Sequence, residues 1–187
     1  MKSWIEALNH PVEAFRKGSK SVSWVLVIIT ILINSVFEPV LRYFYGTGAS
    51  SAKGGTLLKM TGLGLLSYIL LCILLWAVCR CFGSKATLMN HVNAWGISFF
   101  PTVLCSLTVA ITEVFFQIFW NSTLWGMLLN ILFIGILIWK ATLFIVYLRE
   151  FAGLRGWRFY GAFVSIGFIM ITMAALNGYL GLKTPIL

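Results

Sequence analysis

A chain of 187 residues that is 60% hydrophobic and only 10% charged has more apolar surface than one water-soluble core can bury, which excludes an ordinary soluble domain. The net charge of +9 at pH 7 indicates an anionic partner. Because the basic residues are scattered between apolar runs, that partner is predicted to be membrane lipid and not nucleic acid.

Residues 1–20 form a predicted amphipathic arm. Its apolar side chains recur at helical spacing between charged ones, namely Trp4, Ile5, Leu8, Val12 and Phe15. The pattern predicts a helix that lies in the headgroup plane and bends or restarts at Pro11. It is typical either of an anchor that positions the first membrane span or of an arm that docks on the membrane or on a partner. Because Glu6 and Glu13 lie among the bases and the next apolar run is long, we expect no cleavable signal.

Five apolar windows follow, each of about 20 residues or more, which is long enough for a helix to cross a bilayer. The windows are 22–44, 57–78, 94–119, 124–148 and 159–180. Their apolar runs are continuous and not alternating, so that helices are predicted. We therefore expect an all-α, polytopic membrane protein, with residues 1–187 forming one domain built as a five-transmembrane-helix bundle.

The distribution of basic residues predicts the orientation. Nine Lys and Arg residues fall in the arm and in the loops after the second and fourth windows, whereas four fall on the other side. The positive-inside rule then favours a cytoplasmic amino terminus and a carboxy terminus outside the cell. The third loop, 120–123, carries no charge and is short enough to make the third and fourth spans an antiparallel hairpin.

The segment that begins at Gly96 and ends at Pro101 resembles the Gly-Tyr-x-x-x-Pro signature of the Yip1 membrane proteins, with Ile97 in place of the tyrosine. Segments 9–15 and 139–154 are similar to bacterial Yip1-domain proteins before the first span and around the end of the fourth. The other signature of the family, Asp-Leu-x-Gly-Pro, does not occur in the sequence, so roles tied to it are not carried over. The resemblance implies a five-span fold without a settled activity, in the inner membrane of a bacterial cell.

Ionisable and amide side chains inside the apolar windows are the candidate functional residues, because such groups are unfavourable in lipid. They are Glu38, Arg42, Glu113, Asn130 and Lys140, with Gln117 and Asn177 as further amides. Glu38 and Arg42 have the i, i+4 spacing of a helical ion pair. With Glu113, Gln117 and Asn130 they are predicted to form a polar cluster near the outer end of the spans.

Lys140 lies about 24 Å along the fourth helix from Leu124, too deep to meet Glu113. Its predicted partners are groups near Pro101 and Thr102, where the proline frees a backbone carbonyl. One interpretation of these residues is a hydrophilic cavity that binds an anionic headgroup or a small solute. The other is an interhelical network that fixes packing, with the Lys140 ammonium reaching the interface.

Two functions follow from these interpretations. The first is a non-catalytic membrane scaffold or adaptor that binds lipid or protein partners at its cytoplasmic face. The alternative is a small transporter or flippase-like carrier of an anionic or amphiphilic molecule. Small residues in the fifth window allow close helix packing, within the chain or in a homo-oligomer; they are Gly161, Ser165, Ala174 and Ala175.

No pattern of an enzyme active site occurs in the sequence. We find no nucleophile, histidine and acid arrangement and no phosphate-cradling glycine loop, so neither catalytic residues nor a cofactor are predicted. The four cysteines lie in or beside apolar runs without metal-ligand spacing and are interpreted as structural thiols. His91 is predicted to be a membrane-interface residue and not a metal ligand.

Overall fold

A computed structural model describes residues 10–17, 20–45 and 54–179 of the chain. These residues form helices and short connections, and no strand occurs among them. Five of the helical segments are long and apolar enough to cross a membrane, which confirms the predicted all-α fold with five spans. They are Lys20–Phe44, Gly54–Cys81, Leu88–Val114, Thr123–Phe151 and Trp157–Leu176. The predictions for residues 1–9, 18–19, 46–53 and 180–187 lie outside the described residues.

The first span contains a wide turn in its middle. An α-helix over Lys20–Leu32 passes into a π-helical turn at Ile33–Phe37, and a second α-helix, Glu38–Phe44, continues to the end of the span. Pro39 stands in the first turn of that second helix. Proline has no N–H to donate and its ring clashes with the preceding turn. The π-turn directly before it widens the helix at the position where that clash would fall.

The third span occupies the centre of the bundle. Over half of its most apolar window is buried inside the protein, 56%, compared with 22–33% for the other four spans. It consists of α-helix Leu88–Trp95, a 3₁₀ turn at Gly96–Phe99 and α-helix Phe100–Val114. The 3₁₀ turn packs against the first span, and the helices beside it contact the second and fourth spans.

The third span begins and ends earlier than the predicted window of 94–119. It begins at Leu88 because the Thr87 side chain accepts a hydrogen bond from the Asn90 amide and caps the helix. A hydropathy window did not detect this start, because the first turns of the helix contain polar residues. The span ends at Val114 because the backbone of Phe115 leaves the helical region, and a separate short helix, Phe116–Trp120, follows.

The fourth and fifth spans are joined by a glycine-containing loop. The fourth span is α-helix Thr123–Val146 extended by a π-helical turn, Tyr147–Phe151. The fifth belongs to the helix Trp157–Tyr179. Gly153 and Gly156 in the loop between them have positive φ angles of 70° and 58°, which glycine adopts without strain.

The arm and the loops 82–87 and 152–156 lie at the same end of the helix bundle, which we call the amino-terminal face. The other end, with residue 45 and the loop 121–122, is the opposite face. At the amino-terminal face the Phe82 ring lies over Gly161, where an added Cβ would come 2.4 Å from a ring carbon. Gly161 therefore serves packing within the chain, and self-association through the fifth span stays a prediction.

Candidate functional site

Lys140 is a buried cation in the interior of the bundle, with only 7% of its surface exposed. Its ammonium donates a hydrogen bond to the Thr102 hydroxyl. The nitrogen also lies 4.7 Å from the ring centre of Phe99 and 5.7 Å from that of Trp95, within the range of cation–π attraction. The predicted neighbourhood of Thr102 is thereby confirmed, and the third span supplies these contacts. The interpretation in which the Lys140 ammonium reaches the interface was wrong, because the residue is buried in the bundle.

Arg42 and Glu113 connect the first and third spans near the opposite face. The distance from Arg42 Nη2 to Glu113 Oε2 is 2.7 Å, and about a third of each side chain is exposed, 27% and 33%. Deeper in the same interface the Asn34 amide donates to the Ser106 hydroxyl at 3.4 Å. The predicted ion pair of Arg42 with Glu38 lies outside the described side chains, and it stays a prediction.

Asn130 does not join this pair. The buried positions of the fourth span include Leu129, Ile136 and Lys140, which share one face of the helix at intervals of seven and four residues. Asn130 follows Leu129, so it is turned about 100° away from that face and is exposed at the surface of the protein. Gln117 is exposed as well. The predicted outer cluster was therefore wrong in including these two amides.

The Arg42–Glu113 pair is expected to stabilise the protein by about 1 kcal/mol, between the values for exposed and for buried ion pairs. A double-mutant cycle of Arg42→Gln and Glu113→Gln, followed by thermal unfolding in nanodiscs, measures this coupling and separates it from the other contacts of each residue. Lys59→Gln is the matched control, because Lys59 is an exposed cation near the same face. A coupling energy of zero would show that the pair does not hold the two spans together.

The signature residues Gly96 and Pro101 shape the contact between the first and third spans. A Cβ added at Gly96 would lie 2.1 Å from Ser23 Oγ and 2.6 Å from the Ser23 carbonyl oxygen. Only glycine lets the two backbones approach so closely. Pro101 stands in the first turn of its helix, where the N–H that proline lacks has no intrahelical acceptor.

His91 lies inside the protein beneath the amino-terminal face. It is fully buried, and its Nδ1 shares a hydrogen bond with the hydroxyl of Tyr147. The Phe151 ring packs edge-on against the imidazole with 5.1 Å between ring centres, and Trp95 packs on Tyr147 at 4.9 Å. His91 thus faces the protein interior from the first turn of the third span, and its predicted depth at the membrane interface stays a prediction.

The arm docks on the end of the fourth span. Its helix is Pro11–Lys17, and Phe15, which is 1% exposed, packs edge-on against Tyr147 with 5.9 Å between ring centres. Arg16 forms an ion pair of 2.6 Å with Glu150. The described part of the arm is therefore held by the protein itself at the end of the bundle, and its predicted position in the headgroup plane stays a prediction.

A cavity of about 560 Å³ opens between the docked arm, the loop 82–87 and the π-turn of the fourth span. Its polar lining consists of Arg16, Ser84, Lys85, Asn90 and Glu150, and its apolar lining includes Phe151, with the buried Phe15 behind it. The tight turn at Gly83, with φ of 93°, brings Ser84 and Lys85 to the rim. Sequence inspection did not find this site, because its residues come from three distant segments.

The family model of the Yip1 domain matches residues 5–176. The chain belongs to the Yip1 family. No curated protein and no solved structure matches the chain. The matched region of this Yip1 domain contains both signature residues, the Lys140 and Arg42 contacts and the whole lining of the cavity.

The Yip1 domain shows no metal centre in the part that the structure describes, where no three His, Cys, Asp or Glu side chains lie close enough to hold an ion. Its most polar features are instead the two intramembrane contacts and the cavity. Tyr147 and Glu150, which build the docking surface for the arm, were not among the predicted residues. The one sequence feature that could have indicated them is the presence of a hydroxyl and a carboxylate at the end of the fourth apolar run.

Proposed function

We propose that this Yip1-family protein is a non-catalytic membrane scaffold that binds lipid or protein partners on its amino-terminal face. The observation that carries the proposal is the use of the charged side chains inside the spans. Lys140 contacts Thr102 and two aromatic rings of the third span, and Arg42 contacts Glu113. These contacts connect one helix to another, as expected of groups that fix packing.

A transporter uses such residues differently. Ionisable groups on a transport pathway face a water-filled cavity and contact the cargo or a coupling ion. The Lys140 ammonium is instead covered by a hydroxyl and aromatic faces, and only 7% of the residue is exposed. The polar cavity of about 560 Å³ lies at the end of the bundle, where residues of the arm, the loops and the end of the fourth span line it. This position favours binding from one side of the membrane.

We place the amino-terminal face in the cytoplasm of a bacterial cell, with the protein in the inner membrane. The support is the charge distribution, since the arm, the two loops of this face and the helix ends beside them contain nine Lys and Arg residues. Cytoplasmic loops carry such an excess, and the anionic inner leaflet attracts it. Partners of the scaffold would thus approach from the cytoplasm.

Acetylation with a water-soluble amine reagent tests the proposal on the unmodified protein in liposomes, with reagent on both sides. Lys85 is exposed at the amino-terminal face and serves as the internal reference. We expect Lys140 to react at least about 100-fold more slowly than Lys85, because water reaches it only when the helices open locally. Peptide mass spectrometry over a time course gives both rates.

Comparable rates for the two lysines would overturn the scaffold proposal in favour of a hydrated pathway. In that case Lys140 would face water inside the membrane, as the carrier interpretation requires. Denatured protein provides the second control, since both amines must then react fully.

A further inference from the structure

The cavity at the amino-terminal face combines two cations with one carboxylate. Arg16, Lys85 and Glu150 all line it, so that their formal charges leave one excess positive charge. The volume of about 560 Å³ is within the usual range for small-molecule sites. The partly exposed ring of Phe151 lies beside this charge, an environment suited to an anion with an apolar or glycerol portion.

Glu150 orients the guanidinium of Arg16. Both Nε and Nη2 of Arg16 donate to the same oxygen, Glu150 Oε2, at 3.1 and 2.6 Å. Nη1 is outside this pair, and 66% of the Arg16 side chain is exposed. A guanidinium fixed on one edge by a carboxylate loses less conformational entropy when its other edge binds an anion.

Lys85 stands on a well-anchored loop. The amide of Ser84 donates to the Cys79 carbonyl at 2.9 Å, and the buried Ser84 hydroxyl accepts from the Ala86 amide at 3.4 Å. These bonds hold the backbone on both sides of Lys85 while its side chain is exposed. Asn90, one turn into the third span, adds an exposed amide to the same cavity.

We propose that this cavity binds the headgroup of an anionic phospholipid, in which the negative charge of the phosphodiester is not offset by a headgroup cation as it is in phosphatidylcholine. Lys85 Nζ and Arg16 Nη1 are the charged donors, Asn90 is a neutral donor, and the partly exposed ring of Phe151 accommodates the carbon skeleton. One excess positive charge matches the single negative charge of a phosphodiester. The arm and loops lie at the span ends, at headgroup depth, where basic pockets bind anionic lipids. This inference rests on the proposed scaffold function and names the ligand class of its binding face.

Native mass spectrometry of the full chain in mild detergent tests the site, with phosphatidylglycerol and phosphatidylcholine as the two probes. We expect specific retention of phosphatidylglycerol, and a loss of affinity of about tenfold in Lys85→Gln and in Arg16→Gln, as for one charge-assisted hydrogen bond. Arg155→Gln is the matched control, because Arg155 is an exposed cation on the same face that does not line the cavity. Its affinity should stay within about twofold of the wild type.

Soluble glycerophosphoglycerol, added as a competitor, distinguishes the source of the group. Displacement of the lipid shows that the phosphodiester alone is recognised, and a lack of displacement shows that the membrane-bound lipid is required; both support the site. Equal losses in Lys85→Gln and Arg155→Gln, or equal retention of the two lipids, would overturn it. Neither of those results bears on the scaffold proposal, which the Lys140 labelling experiment tests separately. A failure of the lipid site is therefore distinguishable from a failure of the scaffold function.

Discussion

Gly96→Ala is expected to destabilise the contact between the first and third spans strongly. The new Cβ would stand 2.1 Å from Ser23 Oγ and 2.6 Å from the Ser23 carbonyl oxygen. One of these atoms is backbone, so the first span itself must move away. Overpacking of this kind typically costs about 1–3 kcal/mol, and occasionally more, and the Gly96 contact lies at the upper end.

Thermal unfolding in nanodiscs measures this effect, with Gly135→Ala as the control. Gly135 is on the fourth span and has no atom within 4 Å of an added Cβ, so its replacement should leave the melting temperature unchanged or slightly raised. A double variant with Ser23→Gly removes only the hydroxyl part of the clash and should restore stability partly. Equal melting temperatures for Gly96→Ala and Gly135→Ala would contradict the close approach of the two spans.

Phe15→Ala is expected to release the arm from the bundle. Phe15 is 1% exposed and packs on Tyr147, and truncation of a buried phenylalanine costs about 3–5 kcal/mol. Most of this loss should appear as local opening of the arm, because Arg16 and Glu150 alone form only a partly exposed ion pair. Hydrogen exchange of residues 11–17 measures the opening directly.

Val12→Ala is the control for this experiment, since Val12 is on the same helix and 37% exposed. Its exchange rates should stay close to those of the wild type. Fast exchange in Phe15→Ala with an unchanged melting temperature of the five spans would show an arm that opens as a unit. Unchanged exchange in both variants would contradict the docked position.

The large-scale architecture followed from the sequence because it depends on local composition. Apolar runs of sufficient length predict spans without any knowledge of their partners. The position of Lys140 was predictable for a similar reason, since a rise of 1.5 Å per residue sets its depth and hence its neighbours at Thr102. The charge of Lys140 and the proline at residue 101 were both visible in the chain.

The errors concern rotation and long-range contact, which composition does not encode. Whether Asn130 faces its neighbours depends on the rotation of a helix that is apolar nearly all around its circumference. The burial of His91 was not predicted because a hydropathy window does not detect the Thr87 cap that starts the helix before it. The docking of Phe15 on Tyr147, and with it the cavity, joins segments more than 130 positions apart in the sequence.

The docked arm also orders events during biosynthesis. Arg16 and Glu150 are separated by 134 residues, so at ribosomal speeds of about 5–20 residues per second the arm waits roughly ten seconds for its binding surface to be made. Throughout that interval Phe15 has no Tyr147 to cover it. The amino-terminal helix is thus free to meet the membrane surface or the insertion machinery while the early spans enter the bilayer, and it closes over the bundle only after the fourth span has emerged.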